Sequence, residues 1–268
     1  MPGMQWNLTT AARSRRSKSD LTIRAIGLCL LLLAALVVTR APAKASKEQA
    51  DSSPQSPLLR RLRESRAPYH TFATRFVQRK HLEILNVDLE SEGMILFRRP
   101  GSVRYEIISP ARSLMVYDGK KVRCYAFSEG KWKLLNNPSA TAIGQVLRQI
   151  GRWIQGDFDA DRKMFEISVA AAQDGGGCIH LVPRSEALAK YIRRVEVYVT
   201  KTGDDYRVTR VIIRESDVDM ADKRFREERR NQEIPEGTFS TPEASEACQA
   251  VFPPKSNTDP NQGEKPKS

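Results

Sequence analysis

The chain has 268 residues, with 44 lysines and arginines against 32 aspartates and glutamates, a formal charge of +12. That length suffices for one domain with a sizeable core. The basic excess contains no Lys/Arg block interleaved with aromatics, which excludes nucleic acid as an expected partner.

Residues 1–45 read as an export signal. Ile26 to Val38 is an unbroken apolar run, too short to span a bilayer comfortably. Arg13, Arg15, Arg16, Lys18 and Arg24 precede it, and Ala43-Lys44-Ala45 follows as an A-x-A cleavage pattern. Cleavage after Ala45 would leave 223 residues and place the protein in the periplasm; an uncleaved helix anchored in the inner membrane is the alternative. The leader carries seven basic residues and one acidic residue, so its removal would lower the formal charge to +6.

Residues 46–57 form a polar, proline-marked linker. Leu58, Leu59 and Leu62 then sit at helical spacing in a basic amphipathic helix that should end before Pro68. The period next changes to two: Val103, Tyr105 and Ile107 alternate with Arg104 and Glu106, as in a strand with one buried face. Short strands also fit 70–78, 114–119 and 121–127, with Asp118-Gly119 as a hairpin turn. Between Ser139 and Ile154 the apolar residues Ile143, Val146, Leu147, Ile150 and Ile154 fall on one helical face. Gly144 and Gly151 weaken that helix, each by about 1 kcal/mol against alanine. Strands resume at 163–171, 178–183, 191–200 and 206–215, turned by Gly175 to Gly177 and by Thr202-Gly203-Asp204-Asp205. The run Lys223 to Arg230 mixes both charge signs and suits a solvated strand or helix face. From residue 241 to 268 the composition predicts a disordered tail.

The fold class that follows is mainly β with α: a single, strongly curved antiparallel sheet forming an incomplete barrel. A sheet of so many strands curls rather than staying flat. Its concave face needs a cover, and the helices near 58–66 and 139–154 are the candidates. A curled sheet under an apolar helical lid describes a container.

Reactive chemistry is sparse. His70, His81 and His180 share no metal-ligand spacing with one another or with the cysteines, so no metal is expected. Asp157, Asp159 and Asp161 open like a calcium loop, but Arg162 and Ser168 stand where glycine and a bidentate glutamate are needed. Neither a G-x-S-x-G elbow nor a glycine-rich phosphate loop is present. Asp217 and Asp219 could pair as carboxylates, but nothing argues for a cleft around them. The sequence offers no catalytic set and no cofactor site. Of the cysteines beyond the leader, Cys124 and Cys178 could join in an oxidising compartment, although the odd count of three argues against a disulfide framework.

One series of short motifs is more specific. Phe76-Val77-Gln78 is followed by Gly93-Met94-Ile95-Leu96-Phe97-Arg98-Arg99-Pro100, Arg104-Tyr105, Pro110, Asp118-Gly119, Leu181-Val182-Pro183 and Val208 to Ile213. Asn231 and Pro235-Glu236-Gly237-Thr238-Phe239 close the series. In this order the motifs, over residues 58–240, resemble the LolA family, periplasmic carriers of outer-membrane lipoproteins. The resemblance implies an incomplete barrel whose mouth is closed by helices over a hydrophobic cavity. It also implies that the arginine before the proline, Arg99, hydrogen-bonds to the helical lid as a latch. By strand alternation Ile95, Phe97 and Arg99 share one face, with Met94, Leu96 and a solvated Arg98 on the other. The expected lining is therefore Ile95, Phe97, Val103, Tyr105 and Ile107, with Arg99 at the rim and Ile143, Val146, Leu147 and Ile150 opposite on the lid. Tyr105 stands where the family often has tryptophan.

Partners implied by the resemblance are acylated lipoproteins or lipid, an inner-membrane ABC-type release complex and an outer-membrane acceptor, met by a monomer. The alternative readings are a carrier of another lipid or glycolipid, or a membrane-anchored lipoprotein sensor or adaptor.

Overall fold

The structure is a computed structural model that describes residues 56–83, 86–136 and 140–252. The expected leader, most of the linker and everything after residue 252 lie outside the described residues. Within them, the alternating runs become eleven strands: β1 (Thr71–Leu82), β2 (Val87–Arg98), β3 (Ser102–Ser109), β4 (Ser113–Tyr117), β5 (Val122–Ser128), β6 (Lys131–Leu134), β7 (Phe165–Ala171), β8 (Gly177–Pro183), β9 (Arg194–Thr202), β10 (Asp205–Arg214) and β11 (Met220–Arg230). Four helices accompany them: α1 (Pro57–Arg66), α2 (Ala140–Ile154), α3 (Glu186–Ala189) and α4 (Ser245–Ala250). Pro57, placed in the linker by composition, opens α1, a position where its missing N–H costs nothing.

All the strands belong to one antiparallel sheet in the order β6-β5-β4-β3-β2-β1-β11-β10-β9-β8-β7. Its first and last strands pair at the centre, with Phe76 opposite Phe225. Outward from that seam run two meanders, β1 to β6 on one side and β11 back to β7 on the other. The edges β6 and β7 do not pair, so the sheet stays open rather than closing into a barrel. The chain crosses from one edge to the other through α2, which packs on β3, β4 and β5, while α1 packs on β10.

The inner face carries two apolar clusters. Leu58, Leu59 and Leu62 of α1 lie on Ile167, Val169, Ile179, Leu181, Val195, Val197 and Val199. Ile143 and Leu147 of α2 lie on Phe72, Phe76, Ile95, Phe97, Val103, Tyr105 and Tyr117. Gly93 serves the second cluster by close approach: a Cβ there would lie 2.4 Å from the Phe76 ring and 2.3 Å from the Glu106 carbonyl oxygen.

The outer face is divided. From β9 to β11 it is an ion-pair ladder, in which Glu196 takes Arg194 and Arg214 and Asp222 takes Arg210 and Arg224. From β1 to β4 it is apolar around one buried ion pair, Arg104 with Glu106, and Ala73, Met94, Leu96, Leu114 and Val116 need a cover. The chain after β11 supplies one. Asn231 turns it with a positive φ of 52°, accepting from the His70 amide and donating to the Pro68 carbonyl. Phe239, Ala244, Cys248 and Phe252 then pack on the apolar strip.

Two expectations are corrected here. The first is the tail: residues 241–252 are an ordered strap containing α4, not part of a disordered end. Its twelve residues hold three buried anchors, Ala244, Cys248 and Phe252, too few to register as a periodic element. The second is the optional disulfide. Cys124 and Cys178 are both free. They stand on β5 and β8, eight places apart in the strand order, and burial pushes each thiol up to about 11. Strands also appear where none was expected, at β6, and Lys223 to Arg230 resolves as part of β11 rather than a helix.

Candidate functional site

Strand alternation brings the expected lining together. Ile95 and Phe97 of β2 and Val103 and Tyr105 of β3 are buried in one cluster with Ile143 and Leu147, and Ile107 and Ile150 pack against it. Val146 is half-buried and outside that cluster. The reason is angular: Ile143, Leu147, Ile150 and Ile154 repeat at spacings that hold one line, while Val146 falls on its flank. The space above the strands is taken up by α2 itself. Gly151 permits this contact, since a Cβ there would come within 3.3 Å of Val103 and 3.4 Å of Phe97. The glycines that weaken α2 as a helix thus let it lie close to the sheet. Surface hollows of about 400 and 390 Å³ lie elsewhere, beside Met164 and Tyr191 and beside Arg193 and Arg214.

Arg99 sits just past the end of β2, half-buried at the rim. Its Nε donates to the Tyr69 carbonyl (2.6 Å), Nη1 to Gln155 Oε1 (2.7 Å), and Nη2 to the Arg66 and Ala67 carbonyls (3.2 and 3.4 Å). One guanidinium therefore bridges the end of α1, the α1–β1 turn and the residue just past α2. Helix C-termini offer orphan carbonyls, and a planar fork of five donors suits several of them at once. None of these four acceptors is a carboxylate. Arg98 points the other way and is exposed, with its guanidinium 4.8 Å from the Phe239 ring centre.

A charged cluster supports the Tyr69 acceptor. The Arg66 and Arg230 guanidinium carbons lie 5.5 and 4.7 Å from the centre of the Tyr69 ring. Asp205 accepts from Arg207 and Arg230, and Glu228 pairs with Arg230 and Arg66. Desolvation would raise the Asp205 carboxyl, but the hydrogen bonds and charges of Arg230 and Arg207 hold it down at about 2.

The aspartate-rich turn has a structural use. Asp161, fully buried, accepts from Arg152 (2.6 Å), Trp153 Nε1 (2.7 Å) and Gln149 (3.2 Å). It staples the last turn of α2 to the loop that follows. This leaves the N-terminal half of α2 held by apolar contact.

Several inner residues escaped sequence reasoning. Phe72 and Phe76 stand four apart and share a face, while the bulge opposite them lies in β11, where Glu227 takes a positive φ of 54°. Tyr69 acts through its carbonyl, which no side-chain pattern reveals. Gln155 directly follows the apolar stripe of α2, and its position could have marked it.

The profile of the family described as outer membrane lipoprotein carrier protein LolA matches residues 68–242. The chain belongs to the LolA family. No curated protein matches its sequence. Among solved structures it is similar to a DUF1329 family protein from Desulfovibrio piger, at 10% identity and a TM-score of 0.42, over 72% of this chain and 97% of that one. It is similar to a LolA superfamily protein from Nitrosomonas europaea, at 12% identity and a TM-score of 0.38, over 69% and 96%. It is also similar to the lipoprotein LppX from Mycobacterium tuberculosis, at 10% identity and a TM-score of 0.39, over 68% and 100%. Among the described residues no helix is long and apolar enough to cross a membrane.

Proposed function

We propose that this protein is a non-catalytic periplasmic carrier that shelters the acyl chains of lipoproteins between two membranes. Exported by its leader, it takes cargo from an inner-membrane ABC-type release complex and yields it to an outer-membrane acceptor. The observation that supports this reading most is the Arg99 clasp, which ties both inner-face helices to the sheet above a continuous apolar lining. A helix that only completed a core would need no such polar fastening at its exposed rim.

The energetics set the requirement. Each acyl methylene gains about 0.8 kcal/mol on burial, so a dozen resist release into water by roughly 10 kcal/mol. A carrier must cover them without making transfer impossible. Opening breaks the Arg99 bonds and lifts Ile143 and Leu147 from Phe97 and Val103, and acyl chains take the vacated volume. Closure restores those contacts and drives cargo out. The clasp thus favours the empty form, and a ligand shifts the equilibrium only by its preference for the open one.

The test is Arg99→Leu. Without the clasp the closed state loses its advantage, so the variant should retain acylated cargo longer than the wild type while remaining folded. Release measured by transfer of a radiolabelled lipoprotein to outer-membrane vesicles reads this directly. Unchanged binding and release would remove Arg99 from the mechanism.

A further inference from the structure

Helix α1 covers the β10 side of the inner face and α2 covers β3 to β5, which leaves the central seam of β1 and β11 between them. Alternation along β11 puts Ala221, Lys223 and Phe225 on this inner face, and Phe225 packs with the lining cluster. Asp222 and Arg224 pair with each other on the opposite face. Lys223 therefore brings an ammonium group onto an apolar floor. It is half-buried, and its Nζ lies 4.8 Å from the centre of the Phe76 ring and 4.7 Å from that of Tyr105. Both rings belong to the cluster beneath α2.

Other cations bordering the inner face have firm partners. Arg66 pairs with Glu228, Arg230 with Asp205 and Glu228, and Arg99 with its four acceptors. Among the described residues Lys223 has no carboxylate or hydrogen-bond partner, and its attraction to the two rings is a weak substitute. Gln78 stands directly opposite on β1 and shares its face. Its carboxamide likewise has no partner among the described residues. Two adjacent donor-bearing side chains on a greasy floor, neither committed to another protein group, are free to donate to an acceptor on a ligand.

We infer that the interior takes an amphiphile with an acidic phosphate-ester head group, and that Lys223, assisted by Gln78, binds that head group while the acyl chains lie under α2. This rests on the carrier reading of the apolar interior and adds a free acidic lipid to the cargo it accepts. A charge-assisted bond to phosphate is about twice as strong as a neutral one, so the head group is where discrimination is greatest.

The experiment compares two probes with identical chains, dioctanoylphosphatidylglycerol and dioctanoylglycerol, by displacement of the neutral dye N-phenylnaphthylamine from the purified full-length protein. The wild type should prefer the phosphate ester by about tenfold, as one charge-assisted bond allows. Lys223→Met should bind both probes with that preference gone, Lys223→Arg should keep it, and Arg224→Met on the opposite face should leave it unchanged. Equal affinity of the wild type for both probes would overturn this inference while the carrier reading stands. Failure to bind either would overturn both. Displacement of the dye by inorganic phosphate alone would mark a site for the free anion and overturn the lipid assignment.

Discussion

Arg99, just past the end of β2, and Arg104, on β3, stand five residues apart, and each fastens a cover to the same sheet. Arg104 faces outward and is completely buried with Glu106. Its Nη1 donates to the Thr238 and Thr241 carbonyls at 3.0 and 2.9 Å, and Ser245 bonds the other Glu106 oxygen. Arg99 faces the rim, half-buried, and holds only neutral acceptors. The difference lies in what is left behind when each fastening opens. Releasing the outer strap would strand a charge in an apolar layer, whereas releasing the roof returns a guanidinium and four carbonyl-type oxygens to water. Opening the outer cover therefore costs more than opening the inner one.

Breaking the outer fastening should have the largest effect. Arg104→Met leaves Glu106 buried without its cation, a loss of about 3–5 kcal/mol. Urea denaturation should show this, and limited proteolysis should cut the strap near Phe239 well before the sheet unfolds. Phe252→Ala removes the last anchor of the strap, buried beside Arg75, and should cost about 3 kcal/mol by the same denaturation assay. A strap that stayed protected in both variants would contradict its role as a fixed cover.

The inner fastening should yield more quietly. Arg99→Leu should lower stability by about 1–2 kcal/mol, because its half-exposed partners regain water. Hydrogen exchange should instead report faster opening, concentrated in the first turns of α2, while Asp161 keeps the last turn protected. The smallest effect belongs to Asp205→Asn, about 1 kcal/mol at neutral pH after allowance for solvent screening. The Asp205 carboxyl is depressed to about 2, so its contribution is present above pH 4 and disappears as the pH falls through 2. The stability difference between Asp205→Asn and wild type should therefore close over that window.

These two faces also differ in how plainly the sequence announces them. The inner lining was legible because Ile95, Phe97, Val103 and Tyr105 alternate cleanly and Ile143, Leu147 and Ile150 repeat at helical spacing. Arg99 stood out because the family motif places it before a proline. The outer strap was not legible. Met94 and Leu96 alternate with the lining and so announce a second buried face, but Phe239, Cys248 and Phe252 are separated by polar, turn-forming stretches that mimic disorder. Arg104 and Glu106 read as the solvated half of an amphipathic strand, since a buried ion pair and an exposed one have the same spelling. Lys223 was hidden in a run of mixed charge, and only its register opposite Gln78 shows which way it faces.

The seam between β1 and β11 has a consequence for how the molecule is made. Phe72 pairs with Arg230, so the central ladder joins segments about 150 residues apart in the chain. During synthesis β1 emerges early and must wait, with one hydrogen-bonding edge bare, until the final strand arrives. Such distant pairing is slow, and unfinished chains would be exposed to cross-linking with their neighbours through that edge. Assembly is thereby tied to completion: a chain cut short before residue 220 has no means of joining its two wings.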